Sequence, residues 1–477
     1  MADHLGVGEG QRYRLRPGNA GGGKDPHFGE DCEEGKEWRL AMSLATPERI
    51  RELQNKLYQK AKKEPGYRFY QLYDKVYRAD ILEHAYRLAK ANDGSAGPDG
   101  ERFEDIERKG REEWLNGLRK ELHDKTYRAQ PVRRKMIEKQ GGGERPLGIP
   151  NIRDRVVQTA AKLILEPIWE ADLEPNAYGY RPGRSAQDAV EKVQELLKAG
   201  YTDVVDADLS KYFDTIPHSE LMQCVSRRIV DRQMLHLIKM WLTAPVEEKD
   251  EKTGKKRLTG GKGKDRGTPQ GGVVSPGLAN LYINRMLKGF RQTGREEEFR
   301  ARIVNYADDF VILSRGKAKE ALGWTQRVTE RLQVTLNAKK TSLKDARREQ
   351  FDFLGYTFGP RWSPRTGQEY MGFGPSKKSV GKITEKVSEL LERGAVRPWE
   401  EVRAKLNATL RGWKQYFNRG YGSAAYRAVD AHVEERVRHF LRKRHKVSSQ
   451  GTHQFSREQV YGARGVFRLR TPACADS

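Results

Sequence analysis

The sequence predicts an α+β fold in which a strand-rich middle section lies between two helical sections. From residue 46 to about residue 90, apolar residues recur at three- and four-residue spacing, which is typical of amphipathic helices. Short apolar and aromatic runs follow within residues 201–360 and indicate strands. Residues 376–446 contain three helical segments without strand signals. Because 477 residues exceed one ordinary hydrophobic core, we expect about two to four structural units.

The overall charge points to a polyanionic partner. The chain has 90 Lys and Arg against 66 Asp and Glu, a formal net charge of +24. An excess of this size, spread along the chain, is the electrostatic footprint of a nucleic-acid-binding protein. A run of about 18 apolar residues, as a membrane span requires, is absent from the sequence. The three distant cysteines fit a reducing compartment better than a disulfide framework or a zinc site.

The first helices are expected after a glycine-rich and charged segment, residues 1–45, which we interpret as a flexible tail. Thr46 is a candidate N-cap for the first helix, and a second helix is expected over residues 69–91. Turn residues at positions 93–100 end the second helix. Further helices and a hairpin around the glycines at 140–143 are expected before residue 200.

Two adjacent carboxylates, Asp308 and Asp309, lie between the apolar runs 303–304 and 310–313. This pattern predicts two short buried strands with the aspartates at the turn between them. Neighbouring carboxylates repel each other, so a buried pair is costly unless a cation neutralises it. A solvated turn is the alternative interpretation of this pair alone. A site for two divalent metals would use such a pair together with a third carboxylate.

A candidate for the third carboxylate lies upstream, where an apolar strand leads into Asp206 and Asp208. Residues two apart on a strand point to the same face, so either side chain could join Asp308 at a metal site. The other would then make a structural hydrogen bond. A strand end with solvated acids remains the alternative for this segment taken alone.

Four further segments flank these carboxylates. They are residues 145–158, which begin Arg-Pro-Leu-Gly-Ile-Pro, residues 178–186, which begin Tyr-Gly-Tyr-Arg-Pro-Gly, residues 267–280, which begin Gly-Thr-Pro-Gln-Gly-Gly, and Phe-Asp-Phe-Leu-Gly-Tyr at 351–356. In this order the series resembles the group II intron reverse transcriptases, or maturases, from about residue 46 to about residue 465. The resemblance implies a right-hand polymerase fold with fingers and palm, followed by an α-helical thumb, the maturase X domain.

The resemblance also implies the catalytic centre. Carried onto this chain, the three metal-binding aspartates are Asp208, Asp308 and Asp309, which would hold two Mg²⁺ ions. Asp208 is chosen because it lies five positions before Phe213, the spacing that the family keeps between metal ligand and steric gate. Phe213 would exclude a ribose 2′-hydroxyl. The second aspartate of such a turn often contacts metal only indirectly.

Four further residues are implied to bind the incoming nucleotide or its leaving group. Lys139 and Arg145 bracket the glycine turn of the hairpin and would grip the phosphates. Gln270 would lie against the base pair and sugar. Lys340 matches the lysine that faces the pyrophosphate and would act as a catalytic general acid. Scattered surface charges are the alternative for the lysines and arginines taken without the flanking motifs.

Nucleic-acid contacts are expected from the thumb, because residues 410–417 resemble the start of the X domain. The candidate RNA- and DNA-binding residues are Arg411, Trp413, Arg438, Arg442, Lys443 and Arg444. A solvated basic face is the usual meaning of such a run, but beside a polymerase core we favour phosphate contact.

The expected domains are assigned with the following boundaries. They are a flexible N-terminal tail at 1–45, an N-terminal extension and fingers at 46–200, the palm with the catalytic site at 201–370, the helical thumb or X domain at 371–450, and a C-terminal tail at 451–477. Residues 246–266 are expected to form an exposed ribbon or loop. The cysteine pairs and His-Asn-His residues of the family's endonuclease domain are not found in the sequence, so we expect that domain to be lacking.

The predicted function is RNA-directed DNA polymerisation from a primer 3′-hydroxyl with dNTPs and two Mg²⁺ ions, together with binding of the intron RNA to assist splicing and mobility. The expected partners are group II intron RNA or another structured template RNA, a DNA primer or target, and dNTPs, with no membrane. The sequence lacks a secretory signal, and we expect a cytoplasmic location of the prokaryotic type, with nucleoid association as an option.

Three other functions remain open from the sequence. The chain could be a domesticated reverse transcriptase of a CRISPR or phage-defence system, or an RNA-binding maturase that only assists splicing. The three intact aspartates argue against the second of these. An RNA-dependent RNA polymerase would carry a polar residue that reads the 2′-hydroxyl, and Phe213 argues against it.

Overall fold

The computed structural model describes residues 45–138, 144–249, 255–261, 263–363, 366–393 and 396–470, without the side chains of Glu138, Arg145 and Lys249. These residues form two compact units. The larger contains residues 45–354 and 358–372, and the smaller contains residues 355–357 and 373–470. Within the described part, no helix is both long and apolar enough to cross a bilayer.

The order of helices and strands confirms the predicted α+β class. The helices are α1 (Glu48–Lys63), α2 (Tyr73–Val76), α3 (Ala79–Asn92), α4 (Phe103–Lys109), α5 (Arg111–His123), α6 (Ile152–Asp172), α7 (Ala186–Lys198), α8 (Tyr212–Thr215), α9 (His218–Ser226), α10 (Arg232–Leu242), α11 (Ser275–Gln292), α12 (Arg295–Glu298), α13 (Ala318–Arg331), α14 (Lys377–Arg393), α15 (Trp399–Tyr416) and α16 (Ser423–Arg444). The strands are β1 (Val132–Glu138), β2 (Glu144–Ile149), β3 (Asp203–Ser210), β4 (Pro245–Lys249), β5 (Lys256–Gly260), β6 (Ala301–Tyr306), β7 (Asp309–Ser314), β8 (Thr335–Leu336), β9 (Ser342–Asp345), β10 (Phe351–Phe353), β11 (Tyr356–Ser363) and β12 (Gln368–Pro375).

The N-terminal helices pack around α6, most of whose residues are buried. The α1 side chain of Gln54 is almost fully buried and donates to the Leu163 carbonyl of α6 at 2.9 Å. The helix predicted from residue 69 is wrong at its start, because Phe69 bridges Ile229 in parallel and the helical turns begin only at Tyr73. The Asp231 carboxylate accepts from the backbone nitrogens of Leu72 and Tyr73, both at 2.8 Å. These long-range contacts override the local helical pattern.

The helix start expected at Thr46 also differs in detail. Pro47 is the N-cap residue of α1 and makes no side-chain cap hydrogen bond, and the buried Oγ1 of Thr46 has no hydrogen-bond partner. A proline before the first turn sets the extended backbone that a cap needs, so the helix can begin without the threonine.

A four-stranded sheet, in the order β2-β1-β4-β5, contains the predicted hairpin and the predicted ribbon. β1 and β2 pair antiparallel from Arg133↔Ile149 to Glu138↔Glu144, so the strands of the hairpin lie where the sequence predicts them. β4 and β5 pair antiparallel and form the ribbon. β4 also pairs parallel with β1, which joins the ribbon and the hairpin into one sheet.

A second sheet contains the segments that carry the aspartates. Its order is β6-β7-β3-β8, and β9 also pairs with β3. β3 is the central strand, antiparallel to both β7 and β9. Its apolar residues Val205, Ala207 and Leu209 are buried on one face, whereas Asp206 and Asp208 are partly exposed on the opposite face. β10, β11 and β12 form a third sheet.

The smaller unit is built on α14, α15 and α16. Its core includes Val387 of α14, Leu406 of α15, and Val429, Val433 and Val437 of α16, all fully buried; the three α16 valines recur at four-residue helical spacing. The C-terminal tail expected from residue 451 differs from the structure, because residues 451–470 contribute buried side chains to this core. They are Phe455, Val460, Val466 and Leu469. Their spacing is not that of a regular α-helix or strand, so a search for periodicity does not find them; residues 459–463 form one turn of π-helix. The N-terminal tail at 1–44 lies outside the described residues.

Candidate active site

The predicted aspartate turn is the tip of a hairpin formed by β6 and β7. Tyr306 pairs with Asp309, so Ala307 and Asp308 are the two turn residues. Ala307 has φ of 59°, a left-handed conformation that costs a non-glycine residue roughly 1–2 kcal/mol. Asn305, which is fully buried, donates from Nδ2 to the Ala307 carbonyl at 2.8 Å. This hydrogen bond holds the turn in its strained conformation.

The central strand β3 brings a third carboxylate to the turn. Asp208 lies directly opposite Asp309 in the β3–β7 register, and the Leu209 nitrogen donates to the Asp308 carbonyl at 3.4 Å. Asp206 is two residues away and forms an ion pair with Lys344 at 3.2 Å. The structure therefore brings Asp208, Asp308 and Asp309 together and gives Asp206 a separate cationic partner.

Negative charge accumulates at this edge of the sheet. Burial, followed by the neighbouring carboxylates of Asp308, Asp208 and Asp206, raises the pKa of Asp309 to about 7. The Lys340 ammonium opposes this shift. A carboxylate whose ionisation is resisted by its neighbours is stabilised in the charged form by an added cation.

Asp208 is held by two side chains that follow β8. The Lys340 ammonium and the Asn337 amide both donate to Asp208 Oδ2, each at 3.1 Å. In the described residues, no three Asp, Glu, His or Cys side chains are arranged to hold one metal ion as they stand. The carboxylates do supply the hard oxygen donors that Mg²⁺ prefers. Binding an ion at Asp208 Oδ2 would require Lys340 to release that oxygen.

The aspartate turn is supported by a loop that contains the start of the Tyr-Gly-Tyr-Arg-Pro-Gly motif. The sequence linked this loop to the site only through that motif. In this supporting loop, residues 174–181, the Tyr178 nitrogen donates to the Asn305 carbonyl at 2.8 Å. Gly179 lies so close to the turn that an added Cβ would stand 2.5 Å from the Ala307 nitrogen. Asn305 and these contacts were missed by sequence reasoning. The available signal was an amide, Asn305, directly after the apolar run 303–304 in β6.

Phe213, the predicted steric gate, lies in α8 and is only 6% exposed. Its ring meets Tyr212 and Tyr180 edge to face, with ring centroids 5.8 and 6.3 Å apart. Its carbonyl accepts a hydrogen bond from the Thr268 nitrogen at 2.7 Å. Phe213 is therefore fixed to the Gly-Thr-Pro-Gln-Gly-Gly loop through its backbone and to two tyrosines through its ring.

Gln270 lies at the contact between that loop and the hairpin sheet. Its carbonyl accepts from the Gly148 nitrogen of β2 at 2.6 Å, and its side-chain amide donates to Asp214 at 3.0 Å. Gly271 has φ of 107°, and an added Cβ would stand 2.3 Å from the Gly148 carbonyl oxygen. A glycine is required there because the two backbones touch.

The two cations of the hairpin are described incompletely. Lys139 lies outside the described residues, and only the backbone of Arg145 is described, paired with Ile137 across β1 and β2. Their predicted contact with phosphates stays a prediction.

The predicted nucleic-acid-binding residues of the smaller unit differ in how accessible they are. Lys443 and Arg444 are exposed, and Arg442 is partly exposed, at the C-terminal end of α16. Arg411 is exposed and lies over the Phe467 ring. Arg438 instead binds the Phe455 carbonyl at 3.1 Å and Glu434 at 2.6 Å, and Trp413 packs against Phe417 and Tyr426. Arg438 and Trp413 thus already have structural partners within their own unit.

Comparison with protein families gives two matches. Residues 137–358 match the model described as reverse transcriptase (RNA-dependent DNA polymerase). Residues 380–458 match the model described as the group II intron, maturase-specific domain. The first match covers β2, both aspartate segments and the Pro-Gln-Gly-Gly motif, and the second covers most of α14 and all of α15 and α16. The predicted reverse transcriptase fold and its helical C-terminal domain are confirmed.

Individual proteins are also similar to this chain. Protein YkfC of Escherichia coli K12 is 35% identical over 344 residues, which are 64% of this chain and 87% of that protein. The group II intron-encoded protein LtrA of Lactococcus lactis subsp. cremoris is 34% identical over 223 residues, 46% of this chain and 35% of LtrA. A solved telomerase from Candida albicans aligns with a TM-score of 0.40 and 12% identity over 76% of this chain and 70% of that one, a score too low to support any inference.

Proposed function

Because the chain belongs to the family of group II intron reverse transcriptases and maturases, we propose a specific role for each residue of its active site. The reaction of the family is RNA-directed DNA polymerisation, which depends on divalent metal ions. The observation that carries the residue assignment is the register that sets Asp208 opposite Asp309, with Asp308 in the adjoining turn.

Two Mg²⁺ ions are proposed to bind at Asp208 and Asp308, with Asp309 completing the site directly or indirectly. The raised pKa of Asp309 supports this, because burial and then the neighbouring carboxylates disfavour its charged form, which an added cation would stabilise. When bound, the ions would lower the pKa of the primer 3′-hydroxyl and neutralise charge on the triphosphate. The protein residues hold the three carboxylates on one sheet edge and fix the turn through Asn305.

Lys340 is proposed to act on the leaving pyrophosphate as a general acid. Its ammonium lies 3.1 Å from Asp208 Oδ2, and its side chain is 65% exposed. This position supports the proposal, because a lysine beside the metal-binding carboxylate can reach a triphosphate bound there. Release from Asp208 as metal binds would free the ammonium to donate its proton.

The remaining assignments concern the nucleotide. Phe213 is proposed to select deoxyribose by filling the space that a 2′-hydroxyl would need, while Gln270 contacts the base pair and sugar. The role of Gln270 is supported by the hydrogen bond that its carbonyl accepts from the Gly148 nitrogen, which fixes the loop against β2. Lys139 and Arg145, which bracket the glycines at 141–143 in the sequence, are proposed to bind the phosphates.

The cognate RNA is proposed to be a group II intron or another structured RNA, bound in part by the smaller unit. Its maturase-specific domain supports this, together with the exposed cations Arg411, Lys443 and Arg444. Arg442 is proposed to join them. For Arg438 and Trp413, contact with RNA would require them to leave their present partners. We therefore propose that these two residues stabilise the fold of the smaller unit.

A primer-extension assay tests the proposed function. The purified protein is given an RNA template, an annealed DNA primer, dNTPs and Mg²⁺. We expect a DNA product, and absence of product with both Mg²⁺ and Mn²⁺ would contradict the proposal. Splicing of a group II intron transcript at low Mg²⁺, with and without the protein, tests the maturase role separately.

A further inference from the structure

The supporting loop, residues 174–181, is hydrogen-bonded to β6, the first strand of the hairpin that carries the aspartate turn. The Asn305 nitrogen donates to the Asn176 carbonyl at 3.0 Å, and the Tyr178 nitrogen donates to the Asn305 carbonyl at 2.8 Å. Ala177 thus pairs with Asn305 as a parallel bridge. The loop therefore extends the sheet beside β6 and follows any movement of the turn.

Two further contacts fix the conformation of the loop. The Arg181 guanidinium, 5% exposed, forms an ion pair with Glu170 at 2.6 Å and donates to the carbonyls of Glu174 and Ala177 at 2.7 and 2.6 Å. Asn280 of α11 donates from Nδ2 to the Gly179 carbonyl at 2.5 Å. A buried arginine with three acceptors immobilises the backbone on both sides of Gly179.

The side chain of Tyr180 projects from this rigid loop and contacts Phe213. Its φ is 55°, a conformation that is uncommon for a tyrosine and that the surrounding contacts must maintain. Its ring meets the Phe213 ring at 82°, with centroids 6.3 Å apart. The same loop therefore contacts the aspartate turn through Gly179 and the Phe213 ring through Tyr180.

The second neighbour of Phe213 has a different role. Tyr212 is 2% exposed, and its hydroxyl donates to the Ala279 carbonyl of α11 at 2.7 Å, so it belongs to the core. Tyr180 is partly exposed. Its ring packs at the edge of the core, so its removal takes away one neighbour of the Phe213 ring and disturbs the core less than removal of the Tyr212 ring would.

We infer that Tyr180 is a positioning residue for sugar selection, which holds the Phe213 ring at a fixed place relative to the aspartate turn. This inference rests on the proposed role of Phe213 as the steric gate. A gate discriminates only if its ring cannot move away from the added hydroxyl, because a displacement of about 1 Å can change a rate by roughly 100-fold. Tyr180 opposes this movement without contacting the nucleotide itself.

The test compares incorporation of dGTP and GTP opposite a template cytosine in single-nucleotide extension. The quantity measured is the ratio of the two kcat/KM values, which is independent of the fraction of active enzyme in a preparation. We expect Tyr180→Leu to lower this ratio by about three- to tenfold, the range that corresponds to the loss of one edge-to-face aromatic pair. Tyr180→Phe, which keeps the ring, should retain the wild-type ratio.

Tyr178→Leu is the matched control. It removes a ring of the same size from the same loop, but the Tyr178 ring lies under the Arg184 guanidinium and not against Phe213. In whatever activity this variant retains, the ratio should equal that of the wild type. An equal fall in Tyr178→Leu and Tyr180→Leu would show that general loosening of the loop is the cause and would overturn the inference.

A double-mutant cycle separates the inference from the gate proposal. Phe213→Ala should lower the ratio at least as far as Tyr180→Leu, and the double variant should fall no further than Phe213→Ala alone. If Phe213→Ala lowers the ratio and Tyr180→Leu does not, the inference is overturned and the gate stands. If Phe213→Ala leaves the ratio unchanged, the gate assignment fails and the inference fails with it.

Discussion

Gly179 lies against the backbone of Ala307, so closely that a methyl group at residue 179 would stand 2.5 Å from the Ala307 nitrogen. Ala307 precedes the two aspartates and is itself in a left-handed conformation. The position of the turn therefore depends on the absence of a side chain 128 residues earlier in the sequence.

Gly179→Ala should destabilise the protein and reduce polymerisation. Since the obstructing atoms belong to the backbone, the turn must shift, and overpacking of this kind costs about 1–3 kcal/mol. Urea unfolding and primer extension measure the two effects. Gly117→Ala is the control, because no atom lies within 4 Å of its added Cβ in helix α5, where alanine should raise stability by up to about 1 kcal/mol. Wild-type stability and activity in Gly179→Ala would contradict the described packing.

Arg181→Met should lower the free energy of unfolding by about 3–5 kcal/mol, because it leaves the Glu170 carboxylate, whose side chain is only 13% exposed, without this partner. Urea unfolding of the purified variant measures the loss. Adding Glu170→Met should restore part of it, since the uncompensated charge is then removed. If the double variant is less stable than Arg181→Met, Glu170 has another cationic partner and the ion pair does not explain the loss.

Asp154 provides a pH-dependent contribution to stability. It is 2% exposed and accepts hydrogen bonds from the Tyr127 hydroxyl at 2.5 Å and the Gln130 nitrogen at 3.0 Å. Burial is the main cause that raises the pKa of Asp154 to about 6, from 3.8. Between these values the folded state holds a proton that the unfolded state has released, so stability falls as pH rises.

Asp154→Asn should remove that dependence. Relative to the variant, the wild type should lose about 3 kcal/mol of unfolding free energy between pH 4 and pH 7, from roughly two pKa units at 1.36 kcal/mol each. Urea unfolding of both proteins at several pH values measures the difference, in which the titration of all shared groups cancels. A difference that is constant over this range would contradict the raised pKa.

The carboxylates of the site could be predicted from the sequence, because each lies at the end of an apolar strand segment, where local pattern and backbone geometry decide the structure. The family resemblance then selected Asp208 from two candidates on one strand face. The structure adds the reason: Asp208 faces Asp309, whereas Asp206 has Lys344 as its partner.

The contacts that support the site could not be predicted in this way. The Asn305 backbone forms hydrogen bonds with Asn176 and Tyr178. Tyr180 reaches Phe213 because Arg181 and Asn280 hold the supporting loop in place. Such contacts depend on chain segments that are distant in sequence, and no periodicity marks them. The same cause explains the late start of the second helical region, where the Asp231 carboxylate accepts from the backbone nitrogens of Leu72 and Tyr73.

The most direct test of the account is primer extension by Asp308→Ala, with RNA affinity measured on the same preparation. Asp308→Ala should abolish extension and leave RNA affinity near that of the wild type, because it removes a proposed metal ligand and little phosphate contact. Asp345→Ala is the matched control, since Asp345 lies on β9 of the same sheet and pairs with Arg347, and it should extend primers normally. Extension by Asp308→Ala at the rate of Asp345→Ala would contradict the assignment of the active site.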